Sequence, residues 1–240
     1  MNKNIYFFSD AHLGGNNPQA EQHKETKLLS FLDEVKKEGE KLYILGDLFE
    51  FWFEYNNSMP KDYFKVLKKL KELTDAGIEI DYMVGNHDFW LGDCLENQIG
   101  VKIHKHDLSV NHQGKSIFLI HGDGLSKKDI GYRILRKILR NQFCIWLYRL
   151  IPPDIGIPLA KWVAGKSRQH TAKRKKHYLE DYRKFAQKKT KQGYDVVIMG
   201  HTHHPELVNF DKGIYINLGD WFENYSFAVL GDRGFELKTY

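Results

Sequence analysis

Ile5-Tyr6-Phe7-Phe8-Ser9-Asp10-Ala11-His12 carries four apolar or aromatic residues straight into an aspartate and a histidine. A short buried strand reads this way when its carboxyl end feeds side chains into a shared site. The same grammar returns four times. LYILGD (42–47) ends in Asp47, and DYMVGNHD (81–88) in Asn86, His87 and Asp88. SIFLIHGD (116–123) ends in His121 and Asp123, and DVVIMGHTH (195–203) in His201 and His203. A single Asp after a strand is ordinarily a turn or cap residue. Five such ends in one chain predict a metal-dependent site.

Working outward, helical patterns separate the early strands. One spans about 20–38 and stops at Gly39; another spans about 61–76 between Pro60 and Gly77. Further strands are predicted at 102–104, 108–111 and 116–120, the last two joined by a Gln113-Gly114 turn. After 195–199 come strands at 213–218, 226–230 and 235–238. The alternation predicts an α/β fold formed by a single domain over residues 1–240.

Residues 125–192 break the alternation. They contain no strand pattern and read as a helical insertion over the carboxyl edge of the sheet. In 130–151 an apolar stripe (Ile134, Leu135, Ile138, Leu139, Phe143, Trp146, Leu147, Leu150) recurs at three- and four-residue spacing. A proline-rich break at 151–158 precedes a second helical stretch, about 159–189. Between Ser126 and Gln192 stand 19 Lys and Arg against 4 Asp and Glu, whereas the remainder carries 17 against 27. A basic block in an otherwise acidic chain implies an anionic partner.

At 240 residues and 42% hydrophobic content the chain can bury one sizeable core. No run of about 18 apolar residues is present, so no membrane-spanning helix is expected. The N-terminal residues lack the apolar stretch of a secretory signal, and Cys94 and Cys144 make no disulfide framework. Both points predict a cytoplasmic protein. No nucleic-acid motif is present, so no nucleic-acid partner is expected. No feature specifies an oligomeric state.

Asp, Asn and His offer oxygen and nitrogen donors that suit Mn²⁺, Fe²⁺ or Zn²⁺. Asp10, His12, Asp47, Asn86, His121, His201 and His203 exceed what one ion needs. They suit two ions, with Asp47 the natural bridge because its motif supplies only one ligand. Such a pair clamps a phosphoryl group and activates water. His87, one residue beyond Asn86, is expected to face the substrate and act catalytically, with Asp88 holding its ring.

The set SDAH, GD, GNHD, HGD and GHTH, in this order, resembles the calcineurin-like metallophosphoesterase superfamily. The resemblance implies a four-layer α/β/β/α sandwich with two mixed sheets inside. It also implies that Asp10, His12, Asp47 and His203 hold one metal and Asp47, Asn86, His121 and His201 the other, with His87 assisting. A narrower resemblance is to the UDP-2,3-diacylglucosamine diphosphatase family of lipid A synthesis. It rests on Gly46-Asp47-Leu48-Phe49-Glu50 with Trp52, on Gly219-Asp220-Trp221 and on the basic helical insertion.

That narrower family implies an acylated UDP-sugar substrate split to UMP and the acylated sugar phosphate, two ions that are usually Mn²⁺, and a helical cap that receives the acyl chains. It also implies peripheral association with the cytoplasmic face of the inner membrane. Asn86, His87, Arg168 and Thr171 then become candidate substrate contacts. The best-known members of the narrower family carry Arg where this chain has His87. Two rival readings remain at this point: a phosphoesterase acting on another phosphodiester, nucleotide or phosphoprotein, and a non-catalytic membrane-binding module.

Overall fold

Period-two alternation sets the layers. The computed structural model describes residues 3–15, 17–56, 58–126, 130–172 and 175–240, excepting the side chains of 130 and 164–178. In β1 (Asn4–Phe8), Tyr6 and Phe8 turn toward α1 (Pro18–Glu38) and α2 (Phe64–Asp75), while Ile5 and Phe7 turn the other way. The first sheet also takes β2 (Gly39–Ile44), β3 (Glu79–Met83) and β4 (Lys102–His104). The second takes β5 (Leu108–His112), β6 (Lys115–Ile120), β7 (Val196–Met199), β8 (Glu206–Phe210) and β9 (Gly213–Asn217). Finally β10 (Ser226–Gly231) and β11 (Gly234–Thr239) return to the first sheet. The strand orders are β11-β10-β1-β2-β3-β4 and β5-β6-β7-β9-β8.

Three apolar clusters separate four layers. Leu28, Phe31, Leu32, Leu67 and Leu70 pack the first two helices on the outer face of the first sheet. Phe7, Tyr43 and Leu45 meet Leu119, Ile198 and Ile216 between the sheets. Phe118, Val197 and Tyr215 meet Tyr182 and Ala186 of a later helix on the outer face of the second. The result is the expected α/β/β/α sandwich.

Strands β1 to β4 run parallel to one another, as do β6, β7 and β9. Their carboxyl ends therefore share a direction within each sheet. Local signals agree with this framework. Asn17 caps α1 by accepting from the Gln19 and Ala20 amides, with Pro18 as the first helical residue. Gln113 and Gly114 both take positive φ, as the tight β5–β6 hairpin requires.

Between β6 and β7 lie α3 (Ile130–Leu139), α4 (Gln142–Arg149), α5 (Pro153–Ala172) and α6 (Lys175–Lys191). The continuous helix expected over 130–151 is interrupted. Asn141 leaves helical geometry and its side chain accepts the Phe143 amide at 2.9 Å, starting a new helix. The predicted proline break is shorter than expected, because Pro153 opens α5 and Pro158 is accommodated inside it. Strand β8 was not predicted. It is an edge strand pairing only with β9, and its alternating half-buried residues give a weak apolar signal. Among the described residues, no helix is long and apolar enough to cross a membrane.

Candidate metal centre

The ligand-bearing loops leave their strands in an unusual backbone conformation. Of seven described non-glycine residues at positive φ, five are Asp10 (54°), His12 (45°), Asp47 (52°), His201 (67°) and His203 (54°). Left-handed backbone costs an L-residue roughly 1–2 kcal/mol, so such strain persists only where its surroundings over-determine it. Here they do. The Asp10 and His12 amides donate to the Gly46 and Asp47 carbonyls at 3.0 and 2.9 Å, tying the first loop to the second. The Gly200 amide donates to the His121 carbonyl at 3.0 Å, tying the fifth to the fourth. Lys24, buried in α1, donates to the His12 carbonyl at 2.6 Å. A Cβ on Gly85 would collide with Asp47 Oδ1, so only glycine lets the third loop approach the second.

These loops bring the predicted side chains together in overlapping groups: Asp10, His12 and His203; His12, Asp47 and His87; and Asp47, His121 and His201. Asp47 Oδ2 lies 3.7 Å from His12 Nε2 and 3.3 Å from His121 Nε2, between the first group and the third. Asn86 Oδ1 is 3.2 Å from His121 Nε2. The second nitrogen of His121 faces the Leu45 carbonyl at 2.7 Å, which turns Nε2 inward.

The donor set fits divalent cations. His12 Nε2 and His203 Nε2 face each other at 3.1 Å, and His203 Nε2 stands 3.2 Å from Asp10 Oδ1. Asp10 Oδ1 is buried and has no hydrogen-bond partner among the described residues. Lone pairs converging on one buried point are what a bound cation would satisfy.

Charge balance in the metal-free site points the same way. Burial opposes ionisation of Asp10 and Asp47, but the surrounding histidines hold both carboxyls below their usual range. Burial would also depress His12 and His121. Asp10 and Glu50 around the first, and Asp47 beside the second, outweigh it and raise them to about 9 and about 10. His201 is instead pushed down to about 4 by burial and by His121, and burial lowers His87. Protonated His12 and His121 therefore stabilise the metal-free fold fully below their ordinary value of 6.5, and that contribution is lost as pH rises toward 9. Metal-stripped protein is expected to melt progressively lower between pH 6.5 and 9. Cations displace those protons, so the reloaded protein should lose much less. Melting curves with and without metal check this, and a flat profile for the stripped protein would contradict it.

His87 and Asp88 differ from expectation. Asp88 does not hold the His87 ring. Its Oδ2 accepts the Leu48 amide at 2.9 Å and the Tyr82 hydroxyl, and its Oδ1 accepts the Gly85 amide at 2.8 Å. These bonds direct Asp88 into the protein, where it knits the second and third loops together. Burial, followed by Asp47, pushes its carboxyl up to about 6. The His87 ring is held by the Glu50 carbonyl, 2.9 Å from Nδ1, and its amide donates to Asp47 Oδ1 at 2.8 Å.

Asp123 ends the fourth cluster and anchors the helices beyond it. Its Oδ2 accepts the Tyr132 hydroxyl at 2.8 Å and pairs with Arg136 at 3.1 Å. Arg140 lies 3.6 Å from the same oxygen, and Trp90 Nε1 donates to the Leu139 carbonyl at 2.8 Å. Helix α3 thus lies on the rim of the histidine–carboxylate cluster. Sequence reasoning named Asp123 as a strand-end residue but not as an anchor. It missed Trp90, Tyr132, Arg136 and Arg140, together with the contacts of Lys24 and Glu50, because none of these stands in a strand-end cluster. Arg168 and Thr171 fall on α5, outside the residues whose side chains are described.

Comparison with known proteins identifies the family. The profile of the calcineurin-like phosphoesterase family matches residues 3–205. The UDP-2,3-diacylglucosamine hydrolase of Porphyromonas gingivalis is 33% identical, over 95% of this chain and 94% of its own length. The proteins of the same name from Pseudomonas fluorescens and Vibrio parahaemolyticus are 30% and 28% identical. Those alignments cover 98% and 97% of this chain and 94% and 96% of theirs. With its family profile spanning all five strand-end clusters and a relative of this identity over nearly its whole length, the chain belongs to the calcineurin-like phosphoesterase family.

Proposed function

We propose that this protein hydrolyses the pyrophosphate of UDP-2,3-diacylglucosamine, giving UMP and 2,3-diacylglucosamine 1-phosphate for lipid A synthesis. Near-full-length similarity to several proteins of that named activity supports the substrate. The observation that carries the reading is the apolar surface beside the site. Eleven of the fifteen exposed large hydrophobic side chains among the described residues lie between Ile134 and Val163. Phe143 is 67%, Trp146 54%, Leu150 62% and Trp162 56% exposed. The helical stripe therefore does not pack on the sheets. Full burial of such a side chain is worth about 1.5–3 kcal/mol, so a patch of this extent marks a binding surface. Acyl chains and the membrane interface that holds them match its chemistry. The basic residues of the same insertion would meet phosphate and anionic headgroups at the cytoplasmic face of the inner membrane.

In this reading Asp10, His12, Asp47 and His203 would hold one cation and Asp47, Asn86, His121 and His201 a second, with Mn²⁺ the proposed ion. The ions would supply charge neutralisation at the phosphoryl oxygens and activation of the attacking water. The protein's own groups do the rest. Asp47 fixes the spacing of the two halves. The Leu45 carbonyl orients His121, and the Glu50 carbonyl orients His87. His87 would meet charge developing on phosphate oxygens through its Nε2. Asp88 serves as a positioning residue through Leu48 and Gly85.

The acyl chains provide the test. With Mn²⁺ present, UDP-N-acetylglucosamine should be cleaved at least about 100-fold less efficiently than the diacylated sugar nucleotide, because remote apolar binding supports turnover at the reacting phosphate. Comparable kcat/KM for both would reject a lipid substrate and favour a phosphoesterase of soluble nucleotides.

A further inference from the structure

Glu50 is neither a member of the ligand groups nor a surface residue. It lies three positions beyond Asp47, is 3% exposed, and is held through its amide by the Leu13 carbonyl at 2.8 Å. Two different groups of this residue address two histidines. Its carboxylate Oε2 approaches His12 Nδ1 obliquely at 3.2 Å, and its carbonyl oxygen sits 2.9 Å from His87 Nδ1. The two rings lie edge to face with centroids 4.6 Å apart.

The direction in which each ring faces gives these contacts their meaning. His12 Nε2 faces the carboxylates, 3.7 Å from both Asp10 Oδ1 and Asp47 Oδ2, and His203 Nε2 is at 3.1 Å. Only Nδ1 remains for Glu50. A proton on Nδ1, offered to a carboxylate, leaves the Nε2 lone pair for a cation and raises its basicity. Burying a carboxylate is costly unless its charge is used, and here it is spent on a ring that ligates.

We propose that Glu50 is a positioning residue for the metal centre: its carboxylate fixes His12 as the Nδ1–H tautomer and aims Nε2 at the site shared with Asp10 and His203, while its carbonyl orients His87. The proposal rests on the reading of Asp10, His12, Asp47 and His203 as ligands. It has an asymmetric consequence. The carbonyl contact survives any substitution at position 50, so only the His12 site should respond. His121, oriented by the Leu45 carbonyl, should not.

Metal-free wild-type, Glu50→Gln and Glu50→Ala proteins would be titrated with Mn²⁺, following free ion by electron paramagnetic resonance and folding by thermal melts. Wild type should bind two equivalents. Glu50→Ala should keep one equivalent within about 3-fold of wild type and bind the other about 10–100-fold more weakly. The near-isosteric Glu50→Gln, whose amide oxygen can still accept from Nδ1, should lie between and serves if the alanine variant does not fold. Unchanged binding of both ions in both variants overturns the role of Glu50. Equal weakening of both sites, tracking a lowered melting temperature, overturns it in favour of general structural support. A wild type that binds no pair of ions overturns the ligand reading and the proposal with it.

Discussion

Asp47→Ala is expected to reduce metal-dependent hydrolysis by about four orders of magnitude or more, because the pair of ions it would join would contribute several kcal/mol to transition-state charge stabilisation. Three contacts argue for so large an effect. Asp47 Oδ2 faces His12 on one side and His121 on the other, at 3.7 and 3.3 Å. Asp47 Oδ1 accepts the His87 amide at 2.8 Å, so the same side chain also fixes the loop that carries His87. Its removal leaves no carboxylate between His12 and His121. Asp47→Asn separates the two roles. The asparagine oxygen can still accept the His87 amide, but the bridging charge is gone, so the fold should persist while Mn²⁺ stoichiometry falls below two. Near-normal, metal-dependent turnover in either variant would remove the dinuclear reading.

How much of this was legible beforehand depends on the range of the interaction. Strand ends such as Phe8-Ser9-Asp10 and Met199-Gly200-His201 announce themselves, because alternation and the abrupt change to polar residues are local. The same period predicted an α/β class, while the α/β/β/α layering was implied by the family resemblance. Glu50 was not legible as a partner of His12, since 38 residues separate them and only the β1–β2 pairing makes them neighbours. Asp88 misled for the related reason that adjacency in sequence suggests contact. Its backbone sits at a turn where the carboxylate is drawn inward by the Leu48 and Gly85 amides and the Tyr82 hydroxyl, away from the neighbouring ring.

The insertion shows the opposite case. Its apolar stripe was visible from spacing, but spacing alone cannot say whether a stripe is covered. The exposed side chains of Ile138, Phe143 and Leu147 decide that point. The anchors of α3, in which Asp123 gathers Tyr132 and Arg136, tie this surface to the residue two places after His121. Asp123, together with Trp90 donating to the Leu139 carbonyl, thus links α3 to the cluster at the end of β6.

His87→Ala carries the second large effect, a fall in kcat of about 100- to 1000-fold, as for loss of a positioned proton donor. Two nearby observations pull on its role. His87 stands close enough to His12 and Asp47 to complete a ligand group. Its Nδ1, however, is committed to the Glu50 carbonyl, and its backbone amide to Asp47, so the ring is held from the protein side. With Nδ1–H donating, Nε2 bears a proton only in the imidazolium form. Burial lowers His87 below its ordinary value of 6.5, and bound cations would lower it further. A reaction that needs that proton should lose kcat as pH rises through this lowered value. His87→Ala should erase that alkaline limb and keep both Mn²⁺ ions. His87→Arg offers a donor that does not titrate, and should recover part of the turnover without restoring the limb. Loss of one Mn²⁺ in the alanine variant would instead make His87 a ligand, and an unaltered pH profile would leave proton donation without support.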